Sequence, residues 1–504
     1  MGVTSLWTVL ESVGESHSLS NDAGIRVAVD LGSWIVPGMK VARQTNFANE
    51  IYMTIRAVFF RTIHLLRLGL KPVFVLDGQA PAVKNVTLGR RKTAAGGSAS
   101  SSDRNRNRYR EVANKCSELF RALGLPYIES PGEAEKLCAC LNSNQLVDAC
   151  LCDDSDIFLY GAQTVYRNFN FKQNDTTVTR YKMADIKQKL KLDRRSLVVF
   201  ALLSGSDYGD GLRGVGVKKT QELIESIQCD DVLQRILSWK ENTELQQIAK
   251  QLELLQKTSK PTHCSQCIHL GSLSQHKAKG CRVCGKNKNC TSSSSVACPC
   301  SWHEVRTTVQ PHLLELSVRE KALKMKDFPP KEVVDEFLDD IVPKVKLDWT
   351  MPQSLTHIKS ILKTFLKWDP AEVNRKLLPV LVHMQLHGIV GKLRFEPIRI
   401  EKSCKKHFKP CYKTWWKANE TKNGEENSFE VVVEEELFTT KYCRMTQEYL
   451  ETLHAQRTPS SSGLLYFAVL IIITSMQSLL LKQYVLPTRT NTFSYLLSSR
   501  AITV

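Results

Sequence analysis

The sequence predicts an α/β protein in which a mostly parallel sheet, flanked by helices, is followed by a helical extension and a small β-rich module. Three observations lead there. Short apolar, β-branched runs at Arg26–Leu31, Pro72–Asp77, Pro126–Glu129, Asp148–Asp154 and Val165–Phe169 alternate with stretches of helical period such as Glu50–Leu68 and Tyr109–Leu123. Near-continuous apolar strands separated by helices are what a parallel sheet covered on both faces requires. Residues 185–260 carry helical patterns alone, broken by a Gly-rich turn at 205–216. After Leu393 the pattern changes again: RFEPIRI, CYKTWWKA and FEVVVEEE read as strands, with a last helix near Thr446–Leu453.

Composition narrows the function. The chain has 504 residues and 69 Lys+Arg against 51 Asp+Glu, a formal charge of +18. At roughly 150 residues per domain that length suggests two to four domains with a real core. A hydrophobic content of 42% with 24% charged residues excludes a wholly disordered or fibrous chain. The positive excess favours a polyanionic partner, nucleic acid first and an anionic membrane surface second. MGVTSLWTVLESVGES lacks the basic and apolar regions of a signal peptide, and Leu6 stands where a myristoylation motif needs Ser or Thr. Disulfides are therefore not expected among the sixteen cysteines, and the seven between Cys264 and Cys300 read as metal ligands.

The pattern divides the chain at 1–88 and 109–207 (the α/β part), 89–108, 208–260, 263–303, 304–390, 391–455 and 458–504. Residues 89–108, GRRKTAAGGSASSSDRNRNR, have almost nothing apolar and are expected to form a mobile basic strap. Residues 464–481 reach the lower limit for spanning a bilayer, but Thr474, Ser475, Gln477 and Ser478 interrupt them. They read as an atypical chain end, and no stable membrane association is expected.

The chemistry lies in the carboxylates. Asp30, Asp77 and Asp154 each end an expected strand, so their side chains converge on the rim where open parallel sheets bind ligands. Glu133 and Glu135 sit in SPGEAEKL at a helix start, where capping alone is an alternative explanation. Asp156 follows Asp154 by two residues, and Asp207 follows the Gly205-Ser206 turn. Any one is commonplace, and a set of unrelated surface acids is the plain alternative. Seven carboxylates sharing one rim, however, cannot all ionise without cations between them. All-oxygen donors suit Mg²⁺ or Mn²⁺, and two such ions in a basic protein suit in-line phosphodiester hydrolysis.

These residues also carry a resemblance. MGVTSLW, RVAVDL, VFVLDGQAP, PGEAEKLCA, DDSDIFLYGAQTVYRN and GSDYGDGLRGVGVKK, in this order across residues 1–225, resemble the flap endonuclease (XPG-type) superfamily. Within it the chain is most similar to GEN-type Holliday-junction resolvases, on the short segment 89–108, the DIFLYGAQTVYRNF run, the Cys-rich segment and the β-rich module. The resemblance implies a PIN-like flap-nuclease core in which Asp30, Asp77, Glu133 and Glu135 hold one Mg²⁺ and Asp154, Asp156 and Asp207 a second. It implies a nuclear enzyme of recombination and repair, acting on four-way junctions and 5′ flaps. A flap endonuclease or 5′ exonuclease without junction preference, and a non-catalytic binder of branched DNA, are the alternatives. A self-repelling carboxylate set has no use in the last. No long coiled coil is evident, so a monomer in solution and a homodimer on junctions are expected.

DNA contacts follow from the basic segments. Gly214, Gly216, Lys218 and Lys219 precede TQELIESI, the arrangement in which a turn's N–H groups and a helix N-terminus meet phosphate. By resemblance this is a helix–two-turn–helix, which also holds K⁺; a plain solvated helix start is the alternative. Lys84 and Arg91 lie where the family places phosphate-steering cations, and Arg90 stands beside Arg91 in the basic strap as a further expected DNA contact. Cys264-x2-Cys267 and Cys281-x2-Cys284 have zinc-knuckle spacing and suit one structural Zn²⁺. Cys290, Cys298, Cys300 and His303 leave a second site open. Residues 391–455 resemble a chromodomain. Trp415, Trp416, Phe408 and Tyr412 there suit a methyl-lysine cage or plain core packing, and with five nearby lysines a DNA-touching module is preferred.

Overall fold

A seven-stranded sheet organises the first part of the chain. The computed structural model describes residues 2–3, 5–44, 50–79, 81, 84, 99–171, 176–227, 229–285, 298–340, 344–406, 409–419 and 428–457. The strands are β1 (Glu15–Ser18), β2 (Arg26–Asp30), β3 (Lys71–Leu76), β4 (Tyr127–Glu129), β5 (Ala149–Leu151), β6 (Thr164–Phe171) and β7 (Thr176–Lys182). Their spatial order is β1-β7-β6-β5-β2-β3-β4. β2 pairs in parallel with both β3 and β5, β3 with β4, and β5 with β6. β7 and β1 complete one edge antiparallel. The chain thus leaves β2 toward β3 on one side and returns to β5 on the other. This reversal opens a crevice at the carboxyl ends of β2, β3 and β5.

The central strands are buried on both faces. Ala28, Val73, Val75 and Cys150 pack with Leu137, Cys138 and Leu141 of the helix Ala134–Ser143. On the opposite face Phe74 stacks on Phe120, ring centroids 3.7 Å apart. Helices Arg194–Ser204, Val217–Ser226, Val232–Leu237 and Thr243–Lys257 follow in the region expected to be helical.

Two expectations need correction. The strand expected over Asp148–Asp154 is only Ala149–Leu151, because Asp154 instead caps the 3-10 helix Ser155–Phe158 by accepting the Asp156 N–H at 3.0 Å. The helix expected at Tyr109 begins at Ala99, inside the segment read as a mobile strap. Its far end is anchored by buried Val112, Cys116, Phe120 and Leu123. Once nucleated there, a helix gains one hydrogen bond per added residue, and no Gly or Pro after Gly97 stops it. Residues 89–98, with Arg90 and Arg91, lie outside the described residues.

Farther on, β8 (Phe395–Lys406), β9 (Lys409–Ala418) and β10 (Phe429–Glu434) form an antiparallel sheet in the order β10-β9-β8. Tyr412 and Trp416 are buried in its core with Phe395, Val431 and Val433, so packing accounts for them. Trp415 donates its indole N–H to Glu401 at 2.8 Å; Phe408 lies outside the described residues. The chain divides into two units, 1–434 and 435–504, and the segment 391–455 straddles that boundary. The second unit contains helices Glu435–Lys441 and Cys443–Arg457. The tail 458–504 is outside the described residues, among which no helix is long and apolar enough to cross a membrane.

Candidate active site

Each carboxylate of the rim is fixed by the element that delivers it. Asp30 is the last residue of β2 and accepts the Ser33 N–H and the Cys152 thiol, both at 3.3 Å. Asp77 follows β3, accepting the Ala134 N–H at 2.9 Å through one oxygen and the Tyr109 hydroxyl at 3.2 Å through the other. The next residue must be glycine: a Cβ on Gly78 would lie 1.8 Å from the Ser130 carbonyl oxygen. Glu133 and Glu135 stand at the start of the helix Ala134–Ser143 and bring donor oxygens within 4.8 Å of one another and of Asp77. Asp154 and Asp156 lie on the short 3-10 turn after β5. Asp207 precedes Tyr208, whose hydroxyl is hydrogen-bonded to that of Tyr160 at 2.7 Å, tying its turn to the same floor.

The rim is negative and poorly hydrated. Asp30, Asp154 and Asp156 are each 3% exposed. Burial, with Asp77 beside it, pushes the Asp30 carboxyl up to about 7. Burial likewise raises Glu135, reinforced by Asp30, Asp154, Glu133 and Asp77, and raises Asp156, reinforced by Asp154. Groups that raise one another's proton affinity are being held together against repulsion, which divalent cations relieve. Lys84 supplies one positive charge. Its ammonium lies 2.6 Å from Glu133 and 3.7 Å from Asp207. Burial works against that charge, but Glu133, Glu135 and Asp207 outweigh it and hold the ammonium above its ordinary range.

All seven expected carboxylates thus come to one rim, and Lys84 with them. Sequence reasoning missed Gly2 as a site residue. With φ at +86°, it lies so close that an added Cβ would be 2.1 Å from Asp154 Oδ1 and 2.5 Å from Asp156 Oδ1. The neighbouring Val3 N–H donates to Asp156 at 2.6 Å. Tyr109 and Cys152 were missed as well.

Beyond the rim, Gly214 adopts φ +74° and Gly216 caps the helix Val217–Ser226, on whose first turn Lys218 is exposed and Lys219 half-buried. Lys321 donates to the carbonyls of Arg213 and Gly214 at 3.4 and 3.3 Å. The cysteine segment departs from the four-thiolate expectation. Cys267, Cys281 and Cys284 converge with His269, whereas Cys264 meets Cys267 and His276. His276 donates Nε2–H to the Leu270 carbonyl at 2.8 Å, which turns Nδ1 toward the Cys267 sulfur 3.2 Å away. A carbonyl-fixed tautomer of this kind is what a metal-ligating histidine needs. Two histidines therefore join the thiolates.

Comparison with known proteins agrees with this geometry. The XPG N-terminal domain matches residues 1–97 and the XPG I-region residues 124–207. The chain is 34% identical over 466 residues to human flap endonuclease GEN homolog 1, covering 89% of this chain and 50% of that protein. It is 31% identical over 408 residues to flap endonuclease GEN of Drosophila melanogaster, covering 77% and 54%. The chain thus spans about half the length of these relatives. The crystal structure of human GEN1 in complex with Holliday junction DNA superposes with a TM-score of 0.66 at 27% identity, covering 90% of this chain and 99% of that one. The catalytic core of Rad2 with DNA substrate gives 0.53 at 25% identity, covering 75% and 100%. With the rim, the sheet order and these matches in agreement, the chain belongs to the flap endonuclease (XPG-type) superfamily, as a member of GEN type.

Proposed function

We propose that this protein is a Mg²⁺-dependent, structure-selective endonuclease that resolves four-way DNA junctions by paired, symmetric nicks and also cuts 5′ flaps. Its setting would be homologous recombination and repair in the nucleus. The observation that carries the reading is the convergence of seven carboxylates and one lysine at the carboxyl edge of a parallel sheet. Asp30, Asp77, Glu133 and Glu135 would hold one Mg²⁺, and Asp154, Asp156 and Asp207 the other. When bound, the two ions supply neutralising charge, an activated water and stabilisation of the leaving oxygen. Lys84, between Glu133 and Asp207, orients a scissile phosphate drawn toward the rim. The Tyr160–Tyr208 pair keeps Asp207 in place.

The Gly214–Lys219 turn would grip a duplex arm through phosphates, with Lys84, Arg90 and Arg91 steering the strand to be cut. Such contacts position DNA without reading sequence. K⁺ at the turn would have to displace or share carbonyl oxygens that Lys321 now engages, those of Arg213 and Gly214. Structural Zn²⁺ would sit among residues 264–284, held by Cys267, Cys281, Cys284 and His269, with Cys264 and His276 meeting the same cluster at Cys267.

Resolving a junction needs two nicks placed symmetrically, which two protomers on a two-fold substrate supply most simply. The protein is expected to be a monomer free and a pair on the junction. Cleavage of a junction extruded from a small supercoiled plasmid tests this. Both nicks should fall within one binding lifetime and give linear product, with products on synthetic junctions mapping to symmetric positions. Persistent nicked circles at excess enzyme, with 5′ flaps cut efficiently in parallel, would instead make it a flap endonuclease.

A further inference from the structure

A second metal-binding constellation lies outside the 264–284 cluster. His263, Cys298, Cys300 and His303 bring one donor atom each within 4.8 Å of the others. His263 Nε2 is 3.4 Å from Cys300 Sγ, and His303 Nδ1 is also 3.4 Å from that sulfur. A tetrahedral zinc ion with Zn–S about 2.3 Å and Zn–N about 2.0 Å separates neighbouring donors by roughly 3.5 Å. Both histidine nitrogens therefore already stand at ligand spacing from the Cys300 sulfur, with Cys298 close by.

The orientation of His263 is the more telling feature. Its Nδ1 lies 2.6 Å from the Pro261 carbonyl oxygen, which accepts only from a protonated nitrogen. That fixes the tautomer and leaves Nε2 with its lone pair facing the Cys300 sulfur. A backbone carbonyl holding one ring nitrogen while the other binds metal is the usual support of a ligating histidine. On the opposite side, Cys300 caps the helix Ser301–Val309, and His303 projects from its first turn. Two histidines and two cysteines from either end of a long segment thus meet at one point.

We propose that His263, Cys298, Cys300 and His303 bind a second structural zinc ion, independent of the one proposed among residues 264–284. Binding displaces the thiol protons of Cys298 and Cys300, so two thiolates balance the Zn²⁺ charge and both histidines ligate in neutral form. All four positions are filled by protein, leaving none for chemistry. The ion closes the chain between residues 263 and 303 and fixes the helix Ser301–Val309. It thereby also fixes Trp302, which has Lys260 5.6 Å and Arg306 5.1 Å from its ring. The two sites adjoin along the backbone: His263 directly precedes Cys264 and bridges to Leu270, whose carbonyl orients His276 of the first cluster. Cys290, the other donor suggested by spacing, lies outside the described residues.

Zinc content of the reduced full chain, measured by mass spectrometry after dialysis against metal-free buffer, tests the proposal. Cys298→Ser with Cys300→Ser should lower zinc by one ion per chain relative to wild type, while Cys281→Ala lowers the other cluster's share. Should the double variant misfold, His303→Cys answers separately. It should keep the zinc and, with Co²⁺ in its place, strengthen the thiolate-to-cobalt charge-transfer band. Unchanged zinc content in the double variant, or an unchanged cobalt spectrum in His303→Cys, would overturn the second site. Loss of zinc in Cys281→Ala alone would leave the first site standing and the second refuted.

Discussion

The carboxylate rim and the cysteine–histidine segment are both clusters of metal donors, yet they are held in opposite ways. The rim draws its ligands from positions as far apart as Asp30 and Asp207, on strands and helices whose core lies elsewhere. Val27, Ala28, Val73, Phe74 and Val75 are all fully buried without help from any carboxylate. In the segment around 264–284 the buried residues are the donors themselves, Cys264, Cys267 and Cys281 with His269 and His276, backed by Leu273, Val283 and Cys284. A sheet with its own core tolerates a repulsive edge and can devote it to chemistry. A loop with almost no core needs the ion as its core. Losing a ligand should therefore cost activity but not fold at the rim, and fold but not chemistry in the segment.

The sharpest way to break this contrast is Asp30→Asn. Removing one ligand charge from a two-ion site impairs both charge stabilisation and water activation. Single-turnover cleavage of synthetic flaps and junctions should fall by at least about a hundredfold. DNA affinity should hold, and the variant should remain folded. Cleavage near the wild-type rate would mean that Asp30 is not a ligand.

A smaller effect should appear in stability, and its sign follows from burial. The Asp30 carboxyl titrates at about 7 in the fold and near 4 in an unfolded chain. Between those values the folded state keeps a proton that the unfolded state has lost. Stability of the metal-free protein therefore declines as pH rises through this window, and the contribution is gone above about 7. Glu135 and Asp156, raised by burial as well, push the same way. Mg²⁺ prefers the ionised rim, so it should raise Tm by several degrees at pH 8 and much less at pH 5.5. Calorimetry with and without Mg²⁺ measures this, and Asp30→Asn should flatten the metal-free slope. A metal-free Tm that climbs from pH 5.5 to 8 would contradict the account of the rim.

The two regions also differ in what could be read from the sequence. The parallel strands announce themselves as apolar runs because both faces are buried, and Asp30 and Asp77 were legible as their ends. β1 and β7 were not, since ESHS and TTVTRYK pair antiparallel at an edge and lack such a run. The helix Ala99–Leu123 hides its first turns in Ala, Ser and Arg, because what decides them is packing at Val112 and beyond. Gly2 carries no local signal at all; only the folded chain brings it against Asp154 and Asp156. In the segment, cysteine spacing was visible while His263, His269 and His276 were not. Their role depends on which carbonyl or sulfur each ring nitrogen meets, and sequence separation does not encode that.

A third, outlying region sharpens the comparison with the smallest effect. Among the described residues no cysteine, histidine or carboxylate cluster gathers at the Gly214–Gly216 turn, and its grip on DNA is expected to be electrostatic. Lys218 is exposed on the first turn of Val217–Ser226. A lysine that neutralises one phosphate releases about one counterion, so Lys218→Ala should reduce the slope of log K against log salt by about one. Affinity for a four-way junction should drop a few-fold near physiological salt, while the rate of the bound complex and the position of the cuts stay as they are. Binding isotherms over a salt series, read beside single-turnover rates, separate the two. An unchanged salt slope would mean that this helix start faces solvent and that the duplex arm is held elsewhere. A fall in the rate of the bound complex with unchanged affinity would mean that the turn acts on the rim itself, and the division between gripping and cutting would be lost.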